Sequence, residues 1–65
     1  MVNHKKMASL IKERGLAQKE LADEVGVSEA MLSYILRGLK EPSVATLVRI
    51  AKSLGCSVDE LITTE

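Results

Sequence analysis

The amino-acid sequence predicts an all-α domain built from five short helices. Four glycines each follow an apolar segment with helical spacing, at the point where a helix ends in the left-handed backbone conformation. Three serines each precede such a segment, where a side-chain oxygen caps the first turn. No stretch alternates between apolar and polar residues as a half-buried strand does. The residues concerned are Gly15, Gly26, Gly38, Gly55, Ser28, Ser43 and Ser57.

The chain length and the composition fit one small domain. The 65 residues contain no repeat, low-complexity segment or long linker, so residues 1–65 are expected to fold as a unit. A domain of this size buries only about 60% of its unfolded surface, which leaves its stability marginal and favours dimerisation. Tyr34 is the one aromatic residue, so the core has to consist of aliphatic and methionine side chains, which favours packed helices over a sheet.

The helical periodicity between the glycine and serine signals sets the predicted helix bounds. Pro42 stands immediately before the Ser43 cap, where a proline costs no helical hydrogen bond. Ser57 and Glu60 have the spacing of a capping box at the start of the fifth helix. The helices are expected at about residues 3–14, 18–25, 29–37, 44–54 and 58–63.

The fifth predicted helix has more apolar surface than a helix of about one and a half turns needs against a single core. Its apolar residues are Val58, Leu61 and Ile62. Because part of this surface is expected to face a second copy of the chain, these three residues are the predicted dimer interface.

Charge, cysteine content and hydropathy exclude several classes of protein. Nine basic and nine acidic residues give a net charge of zero, so a polyanion binds only if the positive charge is concentrated on one face. One cysteine and one histidine allow neither an internal disulfide nor, in practice, a zinc site, so no metal or cofactor is expected. Neither a membrane-spanning run of about 18 apolar residues nor a signal peptide is present, so a cytoplasmic location is expected.

Residues 18–37 are the segment around which the chain is organised. They are predicted to form two helices joined by a tight turn at Gly26, with the small Ala22 where the helices cross. The core-facing arc of the second helix holds Leu32, Ile35 and Leu36, and the opposite arc holds Ala30, Ser33, Tyr34 and Arg37. Two helices joined in this way are typical of a helix-turn-helix, whose second helix enters the major groove of DNA.

The outward arc of the second helix offers a methyl, a hydroxyl, a phenol and a guanidinium, which suit thymine methyls, base edges and phosphates. Lys19, Arg37 and Lys40 are the predicted phosphate cations of this surface, and the alternative for Arg37 and Lys40 is an ordinary solvated charge. Three other assignments have an alternative. Glu29 either accepts from a cytosine amino group or favours the helix dipole, and Met31 either packs in the core or contacts a thymine methyl. Tyr34 is either a DNA contact or a half-buried surface aromatic.

The order and spacing of short motifs extend this pattern over nearly the whole chain. They are Gly15-Leu16-x-Gln18, Glu20-Leu21-Ala22, Gly26-Val27-Ser28, Ile35-x-Arg37-Gly38, Pro42-Ser43, Leu47, Ile50-Ala51, Leu54-Gly55 and Asp59-Glu60-Leu61. Residues 7–62 thereby resemble the Cro and phage-repressor type of helix-turn-helix, also called the xenobiotic-response-element family. The resemblance implies a compact five-helix lambda-repressor-like fold. It also implies a transcriptional regulator, expected to be a repressor, that binds an inverted-repeat operator on double-stranded DNA as a homodimer.

The resemblance further implies roles for individual residues. A residue in the position of Gln18 holds a phosphate at the start of the first helix of the motif. The positions that contact bases are Glu29, Ala30 and Tyr34, and those that lie along the DNA backbone are Ser28, Lys40 and Ser43. The full set of predicted DNA-binding residues is Gln18, Lys19, Ser28, Glu29, Ala30, Met31, Ser33, Tyr34, Arg37, Lys40 and Ser43.

Three features depart from the family pattern. Ala17 stands where a threonine or serine usually caps the first helix of the motif, so that helix start is expected to be weaker by about 1 kcal/mol. Ile11 and Leu36 stand where many members pair an arginine with a glutamate, and they are predicted to replace that ion pair by an apolar contact. Ala30 and Tyr34 replace the usual amide or basic side chains, which leaves the operator sequence open.

Two other classes of function have less support from the residues. The same fold serves as an antitoxin or another protein-interaction module, but such antitoxins usually carry an added toxin-binding segment. Only Thr63, Thr64 and Glu65 follow the apolar residues of the fifth predicted helix, and a small-molecule sensor domain is not expected either. An enzyme is not expected, because no Cys–His or Ser–His pair has a plausible spacing and no glycine-rich phosphate loop follows a strand.

Overall fold

A computed structural model of the chain describes residues 2–62, which contain four α-helices followed by a short 3₁₀ helix. The elements are α1 (His4–Glu13), α2 (Gln18–Val25), α3 (Glu29–Leu36), α4 (Val44–Leu54) and the 3₁₀ helix (Val58–Leu61). The predicted all-α class is confirmed, and α2 and α4 have the predicted bounds. The extended pairing within residues 2–62 is an isolated antiparallel bridge between Val2 and Ile62. None of the helices in that range is both long enough and apolar enough to cross a bilayer.

The ends of the central helices match the glycine and serine signals. All four glycines have positive φ angles, between 63° and 80°. Ser28 caps α3, with its Oγ accepting from the backbone N–H of Met31 at 3.0 Å. Ser43 caps α4 in the same way, accepting from the N–H of Thr46 at 3.1 Å. The bounds of the second helix of the motif are therefore set locally by residues that the sequence identifies.

The first two helices begin without a serine cap. The side chain of Asn3 caps α1 by accepting from the N–H of Lys6 at 3.1 Å, so α1 starts one residue later than predicted. Ala17 has the extended backbone of an N-cap, with φ −75° and ψ 136°, but makes no side-chain hydrogen bond to the first turn of α2. The expected absence of a side-chain cap at the start of α2 is confirmed.

The predicted fifth α-helix at 58–63 is wrong in type and in length. Its capping box is present, because the N–H of Ser57 donates to Glu60 Oε2 at 3.0 Å and Ser57 Oγ accepts from the N–H of Glu60 at 3.3 Å. However, the helix is a 3₁₀ helix of four residues, after which Ile62 is extended. The N–H of Asn3 donates to the carbonyl oxygen of Leu61 at 2.7 Å, and so occupies an acceptor that a further helical turn would need. Residue 63 lies outside the described range.

One aliphatic core joins the helices. No polar or charged side chain is buried among the described residues, which accords with the predicted core of aliphatic and methionine side chains. The core residues are Val2, Met7, Ile11, Leu21, Ala22, Val25, Leu32, Ile35, Leu47, Ile50, Ala51, Leu54 and Leu61.

Leu61 has no exposed surface, so its predicted place in a dimer interface is wrong. The 3₁₀ helix packs against α1 and α4, and this packing puts Leu61 inside the core of the monomer. Val58 is half-buried against the same core, and Ile62 is 37% exposed. Of the three predicted interface residues, Val58 and Ile62 are the ones with surface left for a partner.

Ile11 and Leu36, which are predicted to replace an ion pair by an apolar contact, belong to α1 and α3, and these two helices pack against each other. Ile11 belongs to the buried core, and Leu36 is partly buried against that core. A direct contact between the two side chains stays a prediction. Their burial agrees with its premise, because unpaired charges at these two positions would be costly.

Candidate nucleic-acid interface

The crossing of α2 and α3 fixes the orientation of the candidate interface. Leu21, Ala22 and Val25 of α2 are buried, and Ala22 is 2% exposed, which fits its predicted place at the close approach of the two helices. Gly26 has a φ of 80°, and its N–H donates to the carbonyl oxygen of Ala22 at 3.0 Å. This left-handed turn directs the chain into α3, whose buried residues Leu32 and Ile35 pack against α2.

The opposite side of α3 carries the predicted DNA-contacting residues. Ala30, Tyr34 and Arg37 are exposed, Ser33 is half-buried, and Glu29 is exposed beside them. Tyr34 keeps 41% of its surface accessible, although it is the one aromatic side chain of the chain. The predicted outward arc therefore lies on the surface, and it presents little charge other than Arg37 and Glu29.

Tyr34 and Arg37 are in contact with each other. The guanidinium carbon Cζ of Arg37 lies 5.3 Å from the centroid of the Tyr34 ring, within the range of a cation–π interaction. Residues three apart on a helix lie on the same face, one turn from each other. The contact therefore joins two residues that the sequence analysis assigned to separate roles.

A cleft lies along the edge of this face, between α3 and the segment that leads into α4. Its volume is about 290 Å³, and its lining residues are Val27, Met31, Ile35, Lys40, Glu41, Pro42, Ser43 and Thr46. Met31 is partly buried against the core, which favours the packing alternative for this residue. The same side chain also lines the cleft.

The polar residues at the periphery differ in how far their hydrogen-bonding groups are already engaged. Lys19 and Lys40 are exposed, and Gln18 is half-buried at the start of α2. Ser43 Oγ accepts from the N–H of Thr46 and also donates to Thr46 Oγ1 at 2.9 Å, so its hydroxyl proton is used within the protein. Ser28 Oγ accepts from the N–H of Met31, an arrangement that leaves its own proton to donate.

Comparison with known proteins identifies the family to which this arrangement belongs. The sequence profile of a helix-turn-helix family matches residues 7–61, which is most of the chain. The chain belongs to the helix-turn-helix family of the Cro and phage-repressor type.

Individual members of the family are similar over most of this helix-turn-helix chain. An uncharacterised HTH-type transcriptional regulator of Sinorhizobium fredii, y4dJ, is 43% identical over 56 residues, which are 86% of this chain and 73% of y4dJ. The P22 c2 repressor in complex with a synthetic operator has a TM-score of 0.89 at 28% identity, and the match covers 100% of this chain and 98% of that chain. SinR in complex with DNA has a TM-score of 0.78 at 33% identity, with 86% and 90% covered. This chain spans 33% of the length of two other regulators that it matches.

Two residues that the sequence analysis did not single out support the helix-turn-helix from outside it. Arg49 of α4 donates from Nη1 to the carbonyl oxygen of Val25 at 3.4 Å, at the negative end of the α2 dipole. The His4 ring lies against Gly38, where an added Cβ would be 2.8 Å from its Cε1 atom. The last turn of α2 has no basic residue of its own, and this is the one local sign that a cation from another helix could interact with its C-terminal carbonyl groups. No local pattern indicates the partner of His4, because that contact joins the two ends of 34 residues of chain.

Among residues 2–62, the titrating groups with shifted pKa values are Cys56 and Glu60, which lie just before and within the 3₁₀ helix of this helix-turn-helix protein. Burial raises the pKa of the Cys56 thiol, and the Glu60 carboxylate raises it further, so the thiol stays protonated and packs against the core as a small apolar group. The N–H of Ser57 lowers the pKa of Glu60 by donating to its carboxylate. These shifts belong to a helix cap rather than to the candidate interface.

Proposed function

We propose that this helix-turn-helix protein is a sequence-specific transcriptional regulator, acting as a repressor, that binds an inverted-repeat operator as a homodimer. The observation that carries the proposal is the exposed outer face of α3, where an aromatic ring and a guanidinium stand on a helix whose opposite face is buried. The P22 c2 repressor, whose solved chain shares the fold over 98% of its length, was solved in complex with a synthetic operator.

Contacts to bases are assigned to the outer face of α3. The Ala30 methyl suits a thymine methyl, and the Glu29 carboxylate suits the amino group of cytosine. Tyr34 has both a ring edge and a hydroxyl with which to contact a base, and 41% of its surface is free. In a helix-turn-helix, the N-terminal half of the second helix lies deepest in the groove, which is where Glu29 and Ala30 stand.

Contacts to phosphates are assigned to the residues around that face. The first turn of α2 has no side-chain cap, so its free N–H groups and the adjoining Gln18 and Lys19 suit a phosphate oxygen. Lys40 stands beyond the end of α3 and is exposed, so it suits a second phosphate. Ser28, with a hydroxyl proton to donate, is a further candidate. Ser43 is a weaker candidate, because its proton is donated to Thr46.

A dimer of this protein is expected to use the surface around Val58 and Ile62. Ile62 is 37% exposed and follows the 3₁₀ helix, on the edge where it pairs with Val2. Two recognition helices about 34 Å apart then enter successive major grooves on one side of the DNA. The function requires neither a cofactor nor catalysis, and it places the protein in the cytoplasm, where its operator is.

The DNA-binding proposal is tested by selecting bound oligonucleotides from a random duplex pool. The expected result is an inverted repeat with half-site centres about one helical turn apart. If Lys19 and Lys40 bring four cations to the phosphates as a dimer, the logarithm of the affinity falls with the logarithm of the salt concentration with a slope of about −4, and the slope is about −5 if Arg37 also meets a phosphate. A pool that yields no enriched sequence, or a flat dependence on salt, contradicts the proposal.

The dimer surface is tested separately by sedimentation of two matched variants without DNA. Ile62→Asp is expected to weaken the dimer, because a carboxylate in an apolar interface is costly. Val44→Asp is the control, since Val44 is 79% exposed at the first turn of α4, where an acidic residue is tolerated by the helix dipole. If Val44→Asp dissociates the dimer and Ile62→Asp does not, the interface lies at the start of α4 instead.

A further inference from the structure

We infer that Arg37 and Tyr34 form one stacked unit that recognises a guanine in each half-site, so that Arg37 is a specificity-determining residue and not a phosphate ligand. The inference rests on the proposed function and deepens it, because it assigns a base type to Arg37. Its basis is the direction in which the Arg37 side chain runs.

Arg37 follows the last residue of α3, so its position in the sequence indicates a contact beyond the end of the helix, as expected for a phosphate ligand. The guanidinium carbon instead lies 5.3 Å from the centroid of the Tyr34 ring, one turn nearer the start of α3. Side chains of a helix point toward its N-terminus, and Arg37 follows that direction. Its charged group is therefore carried back over the outer face, toward the half of the helix that lies deepest in a major groove.

The stacked position also suits base recognition chemically. A cation–π contact engages the charge of the guanidinium, whereas the N–H donors that lie in the plane of the group remain available to other acceptors. Two parallel donors match the O6 and N7 acceptors that guanine presents in the major groove, and no other base presents two acceptors there. The ring also restricts the rotamers of a long side chain before DNA is bound, which lowers the entropy that binding costs.

A phosphate ligand at this end of the helix is available without Arg37. Lys40 is exposed three residues further along the chain, on the segment that leads to α4. A lysine is a compact charge that suits a phosphate, whereas the planar fork of an arginine suits a pair of acceptors on a base edge. The division of roles between Lys40 and Arg37 thus follows from both position and chemistry.

The test compares the sequences that four proteins select from the same random duplex pool. The proteins are the unaltered chain and its Arg37→Gln, Tyr34→Phe and Tyr34→Leu variants. For the unaltered chain, one position in each half-site is expected to be guanine, with a preference of about 5- to 150-fold over other bases. Arg37→Gln is expected to abolish that preference or shift it to adenine, which glutamine favours.

The two tyrosine variants separate the ring from its hydroxyl. Tyr34→Phe keeps the ring beneath the guanidinium and is expected to retain the guanine. Tyr34→Leu removes the ring and is expected to reduce the preference at that same position. Thermal unfolding is measured for each variant, and little change is expected because Tyr34 and Arg37 are both exposed.

The outcomes distinguish this inference from the proposed function. If the unaltered chain enriches no sequence, the proposed function itself fails. If it enriches an inverted repeat and Arg37→Gln binds every duplex more weakly while keeping the same consensus, Arg37 is a phosphate ligand and only the inference is overturned. A guanine preference that survives in Tyr34→Leu at full strength likewise shows that the stacked unit has no role in recognition.

Discussion

The two helices of the helix-turn-helix have the same length of eight residues but are held in the protein in opposite ways. α2 is fixed at its end, where Arg49 donates to the Val25 carbonyl and Ser53 Oγ donates to Glu24 Oε1 at 2.9 Å. Its start, after Ala17, lacks a side-chain cap. α3 is fixed at its start by the Ser28 cap, and its outer side chains interact with each other instead of with a neighbouring helix.

This difference shows how a small domain separates support from recognition. The hydrogen bonds from α4 to α2 are made at the C-terminal end of α2. The first turn of α2 therefore remains available for the proposed contact with the DNA backbone. α3 is held by apolar packing on one side, so the polar groups of the other side remain available to a ligand. Two expectations follow. Both helices contribute equally to the apolar core, and they differ in the contacts made by their ends and by their outer side chains.

The largest effect is expected for the core leucines of the two helices. Leu21→Ala and Leu32→Ala each remove a side chain that is at most 1% exposed, and each is expected to lower the free energy of unfolding by about 2–5 kcal/mol. Urea denaturation measures both. Ala30→Ser on the exposed face of α3 is the control, with an expected change within about 0.5 kcal/mol. A small cost at either leucine would mean that its helix is not part of the common core.

The turns that follow the two helices are expected to respond next. Gly26→Ala and Gly38→Ala both force a Cβ into a backbone with φ near 80°, at a cost of about 1–2 kcal/mol. The Gly38 variant is expected to cost more, because its Cβ would be 2.8 Å from the His4 ring, whereas at Gly26 it meets the flexible end of Arg49 at 3.2 Å.

A double-mutant cycle isolates that additional cost. In a His4→Ala background the Cβ of Gly38→Ala has no ring to displace. The cost of Gly38→Ala is therefore expected to be smaller in that background than in the unaltered chain. Thermal unfolding of the four proteins of the cycle gives the coupling energy. Strictly additive effects of His4→Ala and Gly38→Ala would show that the ring does not rest on this turn.

A smaller effect is expected for the two helix starts, with opposite signs. Ser28→Ala removes the cap of α3 and is expected to cost about 1 kcal/mol. Ala17→Ser adds an oxygen at a residue that already has the N-cap backbone, so it is expected to gain about 1 kcal/mol. In a domain of this size each change corresponds to a shift in melting temperature of about 4–8 °C. If Ala17→Ser has no effect, the start of α2 is satisfied in another way.

The smallest effect is expected for the link between α2 and α4. The hydrogen bond from Ser53 to Glu24 is exposed, so Ser53→Ala is expected to change stability by no more than about 0.5 kcal/mol. Chemical denaturation at two salt concentrations checks this. A cost above about 1 kcal/mol would mean that polar contacts, and not the core alone, hold α2 in place.

The sequence was sufficient at both ends of α2 and α4 and at the start of α3, where the deciding interactions are local. The Ser28 and Ser43 caps, the left-handed glycines and the uncapped start of α2 all depend on residues within one turn of each other, and all were predicted. The outward arc of α3 also follows from helical periodicity alone.

The sequence was insufficient where distant segments meet. Leu61 was assigned to a dimer interface, because nothing local shows that the 3₁₀ helix packs against α1 and α4. The predicted length of that helix was wrong for a related reason. The N–H of Asn3, 58 residues earlier in the chain, donates to the Leu61 carbonyl oxygen that a longer helix would use. The direction of the Arg37 side chain depends on a rotamer, which periodicity does not specify.

The pairing of Val2 with Ile62 has a practical consequence for protein engineering. Because the N–H of Asn3 also donates to the Leu61 carbonyl at 2.7 Å, the first and last described residues lie side by side. A short linker between them should permit circular permutation, with new termini opened in the exposed loop between α1 and α2. Any polypeptide fused before Val2 or after Ile62 would emerge from the same edge of the domain, so the choice of terminus does little to change its placement.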